Sequence, residues 1–346
     1  MKFGIWTPLP HTYRIEPAME AAIADLTTPG AGGADDRSFR LAADLLKRGE
    51  ALGFVSSLIA ERHLGPDLSA WMIAAALIAK TERMELLVAA HPGIYTPAVV
   101  AKMGASFDRI SGGRFALNVV NGWFREEIEL FGNGAWLDRT EARYRRMDEY
   151  VAVIKALWTG ETVDFDGEFY KVTNGRLPIR PVQRPHPPIY AASTAPAGKD
   201  TIARLCDWWF VAYEQTFAGI EGNMIRIADE IAGMNDLAAR YGRTVSYGIS
   251  AHVICCDSES EAAECALALE EYGERDPVSK VAAKALGAGL VGTPRRIVER
   301  LKYYEEIGLH MAMVHFFPMR DGMETFAAEI MPAFREPSRK ATARSS

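Results

Sequence analysis

Strand-length apolar runs and helix-length segments alternate along almost the whole of this 346-residue chain, and that alternation most restricts its fold. Lys2–Thr7 is followed by a helical stretch over about Arg37–Leu52, Phe54–Ala60 by one over about Ser69–Lys80, and Met84–His91 by one over about Pro97–Ile110. Phe115–Val120 leads to helical segments at about Arg125–Leu130 and Arg139–Trp158, Ile189–Ser193 to about Ala197–Leu205, and Trp208–Val211 to about Ala218–Tyr241. Ser246–Cys255 leads to about Glu259–Tyr272, and His310–Phe316 to about Gly322–Phe334. Neighbouring parallel strands need a crossover of helical length, so this order predicts a parallel sheet. Eight such units predict an α/β chain closed into a (β/α)8 TIM barrel, with a doubly wound open sheet as the alternative.

Several segments interrupt the pattern and read as insertions. Pro8–Asp36 has no clear period and is expected to form a loop over the barrel mouth. Thr162–Val172 reads as a hairpin around Asp166-Gly167, and Ile179–Pro188, with its four prolines, as extended chain. Arg275–Gly292 separates the seventh and eighth units. Residues 1–335 are expected to form one domain, and the polar residues 336–346 a disordered tail.

Composition excludes several function classes. A net charge of −6 argues against a nucleic-acid or anionic-membrane partner, either of which needs a basic face. No apolar run reaches the length of a membrane span, and the first residues enter a strand without a basic, then apolar leader, so a cytoplasmic protein is expected. Cys206, Cys255, Cys256 and Cys265 lack CxxC spacing and read as buried reduced thiols. Gly287-Ala288-Gly289-Leu290-Val291-Gly292 matches G-x-G-x-x-G as a string. The dinucleotide fingerprint needs a strand before it, and here a helical run over Val281–Leu286 precedes it. It reads instead as a loop before a helix opened by Thr293-Pro294. No nucleophile elbow, Walker loop or metal-ligand spacing is present.

In a barrel, groups just past the strands' C-terminal ends line the active-site mouth. Ser111–Trp123 (SGGRFALNVVNGW) combines a glycine turn, a short strand and a polar strand end carrying Asn118 and Asn121. His63, His91, His252 and His315 fall on or beyond strand ends. By period-two alternation Gly248, Ser250 and His252 share one face, suited to a ligand-facing interior. Ser193-Thr194 precedes a helix containing Pro196 and reads either as an anion site or as a plain cap. Arg143-Tyr144 lies inside an amphipathic helix, where an exposed, salt-bridging arginine is the ordinary reading.

Taken together, these pieces resemble the bacterial luciferase-like flavin monooxygenases, in the branch of alkanesulfonate, dimethyl sulfone and pyrimidine monooxygenases. The resemblance runs from about Met1 to Phe334. It rests on Ser111–Trp123, Glu141-Ala142-Arg143-Tyr144, Leu157–Val172 (LWTGETVDFDGEFYKV), Pro187–Thr194 and Gly289–Pro294 (GLVGTP) in the family's order.

The resemblance implies FMN, used as FMNH2, at the C-terminal face of the barrel. It implies a separate NAD(P)H-dependent flavin reductase, O2 and a small-molecule substrate as partners, and a homodimer or homotetramer. By motif, Asn118, Glu127, Arg143, Tyr144, Ser193 and Thr194 match flavin contacts, as do Ile59 and Ala60 at the end of strand two. The implied oxygenating species is a flavin (hydro)peroxide, with His252, His91 and Arg62 as candidate catalytic groups. The sulfonate enzymes carry Arg-x-His on strand seven. Here the run is Ser250-Ala251-His252, their late tyrosine is Phe317 and their strand-three arginine is His91. Arg62, Arg125 and Arg320 are the candidate replacements for the missing charge. An organosulfur substrate, either a sulfone or an alkanesulfonate, is therefore expected. A non-sulfur heterocycle, a deazaflavin-dependent hydride transfer and a non-catalytic flavin-binding role stand as alternatives.

Overall fold

The computed structural model describes residues 1–28, 36–121, 124–275 and 285–335. Its strands are β1 (Lys2–Trp6), β2 (Ser56–Ile59), β3 (Glu85–Ala90), β4 (Phe115–Val119), β5 (Val163–Asp166), β6 (Lys171–Gly175), β7 (Ile189–Ala192), β8 (Trp208–Phe210), β9 (Ser246–Cys255), β10 (Val291–Gly292) and β11 (Met311–Phe316). Eight of them pair in parallel around a ring in the order β1-β2-β3-β4-β7-β8-β9-β11. The ring closes where Lys2 stands opposite Met311 and Trp208 opposite Ser246. This is the predicted (β/α)8 barrel, and the open-sheet alternative fails on that closure. β10 pairs with the end of β9 outside the ring, and β5 and β6 form a separate antiparallel hairpin.

Local chemistry explains the unit that sets up the site. Thr96 caps the helix Pro97–Ser111 by accepting the Val99 N–H, and Pro97 occupies its first turn. The helix ends at Gly112 and Gly113, with φ of 70° and 88°. Side chains with a Cβ rarely adopt that left-handed backbone, so two glycines make the sharp turn into β4. Phe115 at the start of β4 packs against Trp71, Phe107 and Trp158, and the Trp158 indole donates to Ala101 O at 2.8 Å. Each such buried ring contributes roughly 2–3 kcal/mol of burial. At the strands' N-terminal end, Glu85 accepts from Ser56 Oγ at 3.0 Å and Tyr190 OH at 3.1 Å. Burial pushes its carboxyl pKa up, so this end of the barrel is filled by a satisfied polar knot.

Three expectations are corrected. Pro8–Asp36 is not simply loop: it contains the helices Pro10–Tyr13 and Pro17–Thr27. Its Ala-rich sequence lacks a strong apolar stripe, and only Met19 and Ala22 of the longer helix are buried. Turning from Asp166 to Lys171, the hairpin uses a longer loop than Asp166-Gly167 suggests. Glu149 holds that loop by accepting the N–H groups of Glu168, Phe169 and Tyr170. Of the four thiols only Cys206 is fully buried; Cys255, Cys256 and Cys265 are half-buried. The helical run over 281–284, Gly122-Trp123 and the tail 336–346 lie outside the described residues. Leu286–Ala288 forms one 3-10 turn, and Thr293 caps the helix Pro294–Glu306 as its sequence predicts. Among the described residues no helix is long and apolar enough to cross a membrane.

Candidate active site

A cavity of about 450 Å3 opens at the C-terminal ends of the strands, within the range of cofactor and small-molecule sites. Leu58, Val119, Phe124, Phe210 and Tyr213 give it apolar walls, and polar groups enter from opposite sides.

One side is a dense cluster of ionisable groups just past β2 and β3. Arg62 Nε donates to Glu127 Oε1 at 2.8 Å, and its guanidinium carbon sits 3.1 Å from the centre of the Phe124 ring. Arg62 Nη1 is buried without a hydrogen-bond partner among the described residues. His63 Nε2 lies 3.1 Å from Glu61 Oε1, and Glu61 also accepts from Tyr95 OH and the Ala70 N–H. His91 meets His63 edge to face at 5.1 Å. Burial, then the neighbouring charges of His63 and Arg62, bring the His91 pKa down to about 3. His91 is therefore a neutral imidazole at neutral pH, with Nδ1 buried and unpartnered among the described residues. Asn121 adds a further buried carbonyl oxygen with no partner there. Orphaned polar atoms on a cavity wall are sites that a bound molecule satisfies.

The other side is built for a different chemistry. Ser193 Oγ donates to the Tyr144 hydroxyl at 2.7 Å and accepts the Ala195 N–H at 3.1 Å, directly before the helix Pro196–Leu205. Gly198 in that helix permits the contact, because a Cβ there would lie 2.2 Å from Ser193 Oγ and 2.3 Å from the Tyr144 ring. Arg143, one residue before Tyr144 on the helix Thr140–Thr159, donates to Leu137 O at 2.8 Å and stacks over Trp136. Arg143 and Tyr144 line the same cavity, and Ser193 joins Tyr144 beside a helix N-terminus, a set of groups that suits a phosphate.

The third part of the wall joins β1 to β9. Trp6 Nε1 donates to Ser250 Oγ at 3.0 Å. Behind it, His315 stacks against Trp6 at 4.5 Å and against His252 at 5.6 Å. After β1, His11 lines the cavity, and its Nδ1 lies 2.6 Å from Asp67 Oδ2. The Asp67 carboxylate also accepts the backbone N–H groups of His11 and Arg62.

Residues 19–311 match the family described as luciferase-like monooxygenase. The chain belongs to the luciferase-like monooxygenase family. It is 31% identical over 293 residues to the FMNH(2)-dependent dimethylsulfone monooxygenase of Pseudomonas putida, covering 76% of this chain and 78% of that protein. Among solved structures it resembles EDTA monooxygenase (EmoA) from Chelativorans sp. BNC1, with a TM-score of 0.72 at 16% identity over 96% of this chain and 92% of that one. An F420-dependent secondary alcohol dehydrogenase gives a TM-score of 0.70, also at 16% identity, over 97% and 99% of the two chains. These two structural likenesses carry the fold alone.

Within this luciferase-like barrel the residues singled out in the sequence are distributed unevenly. Ala60, Arg62, His91, Asn118, Glu127, Arg143 and Tyr144 line one cavity. Ile59 ends β2 fully buried, and Ser193 reaches the cavity through Tyr144. Thr194 is exposed and off the wall, and His252 is buried one ring behind it, against His315. Of the three candidate arginines, only Arg62 is on the wall: Arg125 pairs with Glu129 and Asp138 at the surface, and Arg320 is exposed. The sequence reading passed over His11, Glu61, Asp67 and Tyr213. Glu61-Arg62-His63, three ionisable residues directly after a strand end, is a usable signal for the ionisable cluster past β2 and β3.

Proposed function

We propose that this protein is the oxygenase of a two-component FMNH2-dependent monooxygenase that inserts oxygen into a small organosulfur substrate. The observation that carries this reading is the two-sided cavity: a phosphate-compatible corner at Arg143, Tyr144 and Ser193 faces an ionisable, partly unsatisfied corner at Arg62 and His91 across apolar walls. The identity to a dimethylsulfone monooxygenase supports the substrate class. Reduced FMN supplies the electrons that activate O2, one oxygen atom going to the substrate and the other to water.

The protein's own groups bind, orient and exclude water. Arg143, Tyr144 and Ser193 hold the phosphate end. Asn118 and the strand end at Ile59-Ala60 face the ring system, with Glu127 and Arg62 beside it. Neutral His91 accepts or donates a hydrogen bond without bringing charge into the cavity. Leu58, Val119 and Phe210 keep the space between dry, which protects reactive species from water.

Residues 1–335 act as one domain in this reading, in the cytoplasm, where an NAD(P)H-dependent flavin reductase provides reduced flavin. Assembly into a homodimer or homotetramer is supported by apolar side chains left open on two neighbouring helices: Met72 is 66% exposed, Val99 47% and Ile110 73%. Exposed apolar groups on neighbouring helices are surface that an interface can cover.

The test supplies purified protein with a flavin reductase, NAD(P)H, FMN, 18O2 and dimethyl sulfone. Expected is a product carrying one 18O atom. If no oxidised product forms from sulfones, sulfonates or heterocycles while a deazaflavin binds tightly, the monooxygenase reading is lost.

A further inference from the structure

Arg62 enters the cavity in a fixed pose. Its backbone N–H donates to Asp67 Oδ2 at 2.8 Å, and its Nε donates to Glu127 Oε1 at 2.8 Å. The guanidinium carbon lies over the Phe124 ring. The backbone, one edge and one face of the group are thus occupied. Its far end is not: Nη1, shielded from water, has no hydrogen-bond partner among the described residues. A charged donor left unpaired away from water is costly, and an acceptor brought by a ligand removes that cost.

The chemistry of that acceptor follows from the wall around it. A guanidinium only donates, so its partner must accept. The carboxylates on the same wall are already engaged: Glu127 accepts from Arg62 and the Leu64 N–H, and Glu61 from Tyr95 and the Ala70 N–H. His91, neutral at neutral pH, and Asn121 line the same end without adding charge. The matching ligand group accepts only and concentrates negative charge on oxygen. A sulfonyl group offers two such oxygens and carries no proton. A thioether sulfur is a weak acceptor and leaves Nη1 unsatisfied.

We propose that Arg62 donates from Nη1 to a sulfonyl oxygen of the substrate, and that this contact selects sulfonyl compounds over thioethers. A site built to hydrogen-bond its ligand rejects an analogue without the partner atom far more strongly than an apolar pocket does. Glu127 and Phe124 are positioning residues for this contact, one on the edge of the guanidinium and the other on its face. The oxygen of a neutral sulfone and that of an anionic sulfonate offer Nη1 the same acceptor. The proposal rests on the monooxygenase reading for its substrate class, but the binding event itself needs no turnover.

The experiment has a binding arm and a kinetic arm. In the first, the full chain with 15N-labelled arginine, saturated with oxidised FMN, is titrated in turn with dimethyl sulfone, methanesulfonate and dimethyl sulfide. The Arg62 signals are assigned by their loss in Arg62→Lys and, should that variant not fold, in Arg62→Met/Glu127→Met, which leaves no unpaired charge. Expected is an Arg62 Nη signal that moves with a sulfonyl compound and stays still with dimethyl sulfide. The sulfone and sulfonate titrations show which source of that oxygen the pocket accepts. In the second arm, a flavin reductase, NAD(P)H, FMN and O2 are supplied. Arg62→Lys keeps a charge beside Glu127 and loses the planar fork. It raises KM for the responding sulfonyl compound about tenfold, while FMN affinity stays within about twofold of wild type. An Nη signal moved by FMN alone and by no sulfonyl compound, an equal response to dimethyl sulfide, or an unchanged KM in Arg62→Lys each overturns the proposal. Oxygenated product with an indifferent Arg62 signal keeps the monooxygenase reading and removes the proposal. A sulfonyl-dependent shift with no oxygenated product refutes the monooxygenase reading and leaves the Arg62 contact standing.

Discussion

Arg62 Nε and Glu127 Oε1 meet at 2.8 Å across the mouth of the barrel, with side chains 15% and 5% exposed. The pair ties the loop after β2 to the short helix Arg125–Phe131, which follows β4. The same Glu127 oxygen accepts the Leu64 N–H, so one carboxylate organises two loops. Removing one member of a buried pair leaves the other charged and unsatisfied. Glu127→Ala is expected to destabilise the protein by about 3 kcal/mol and to abolish turnover. The double variant Arg62→Met/Glu127→Met is expected to recover a large part of the stability and none of the activity. Urea unfolding and product formation, measured on the same preparations, decide both.

Ser193 and Tyr144 join through their hydroxyls at the corner assigned to phosphate. Tyr144→Phe and Ser193→Ala are each expected to weaken FMN binding by about tenfold, the worth of one hydrogen bond to a charged group. Riboflavin, which has no phosphate, provides the control. Its affinity should be the same in wild type and both variants, and a parallel loss of riboflavin binding would place the phosphate elsewhere.

His91 gives a pH signature. Its pKa is brought down to about 3 in the fold, against an ordinary value near 6.5. Between those values the unfolded chain takes up a proton that the folded chain refuses, so this residue's contribution falls as pH falls through the unfolded pKa. The slope is about 1.4 kcal/mol per pH unit. From pH 7 to pH 5 the wild type should lose about 2 kcal/mol more stability than His91→Gln. Unfolding curves at pH 7, 6 and 5 measure the difference, and equal losses would mean that the ring charges freely in the fold.

Met72 and Val99 give a handle on assembly. They lie on the exposed faces of the helices Ala70–Ile78 and Pro97–Ser111. The double variant Met72→Glu/Val99→Glu is expected to halve the mass seen by light scattering, at a monomer stability within about 1 kcal/mol of wild type. An unchanged mass would move the interface to another face.

The barrel was legible because its signals are local. Glycines at 112 and 113 end a helix within two residues, and Thr293-Pro294 opens another. The cavity wall was legible in part through motifs, since Asn118, Arg143 and Tyr144, singled out by the family's pattern, line one cavity. What was not legible is pairwise. His11 and Asp67 are separated by most of the first two β/α units, and nothing in either neighbourhood names the other. They meet only because β1 and β2 are adjacent in the closed ring. His252 shows the converse. Period-two alternation correctly grouped it with Ser250, but His315 on the neighbouring strand stacks on it, and no spacing within β9 reveals a ring supplied from β11.

Asp67 accepts the amide of His11 from one loop and the amide of Arg62 from another, so the first two loops of the mouth form one mechanical piece. Substrate range in such an enzyme cannot be rewritten one loop at a time. A graft of residues 8–36 from a relative would arrive without its matching acid, and a graft spanning 61–70 would strand His11. The smallest exchangeable part of this pocket is the two loops together, and chimaeras cut on that boundary are the ones that should fold and turn over.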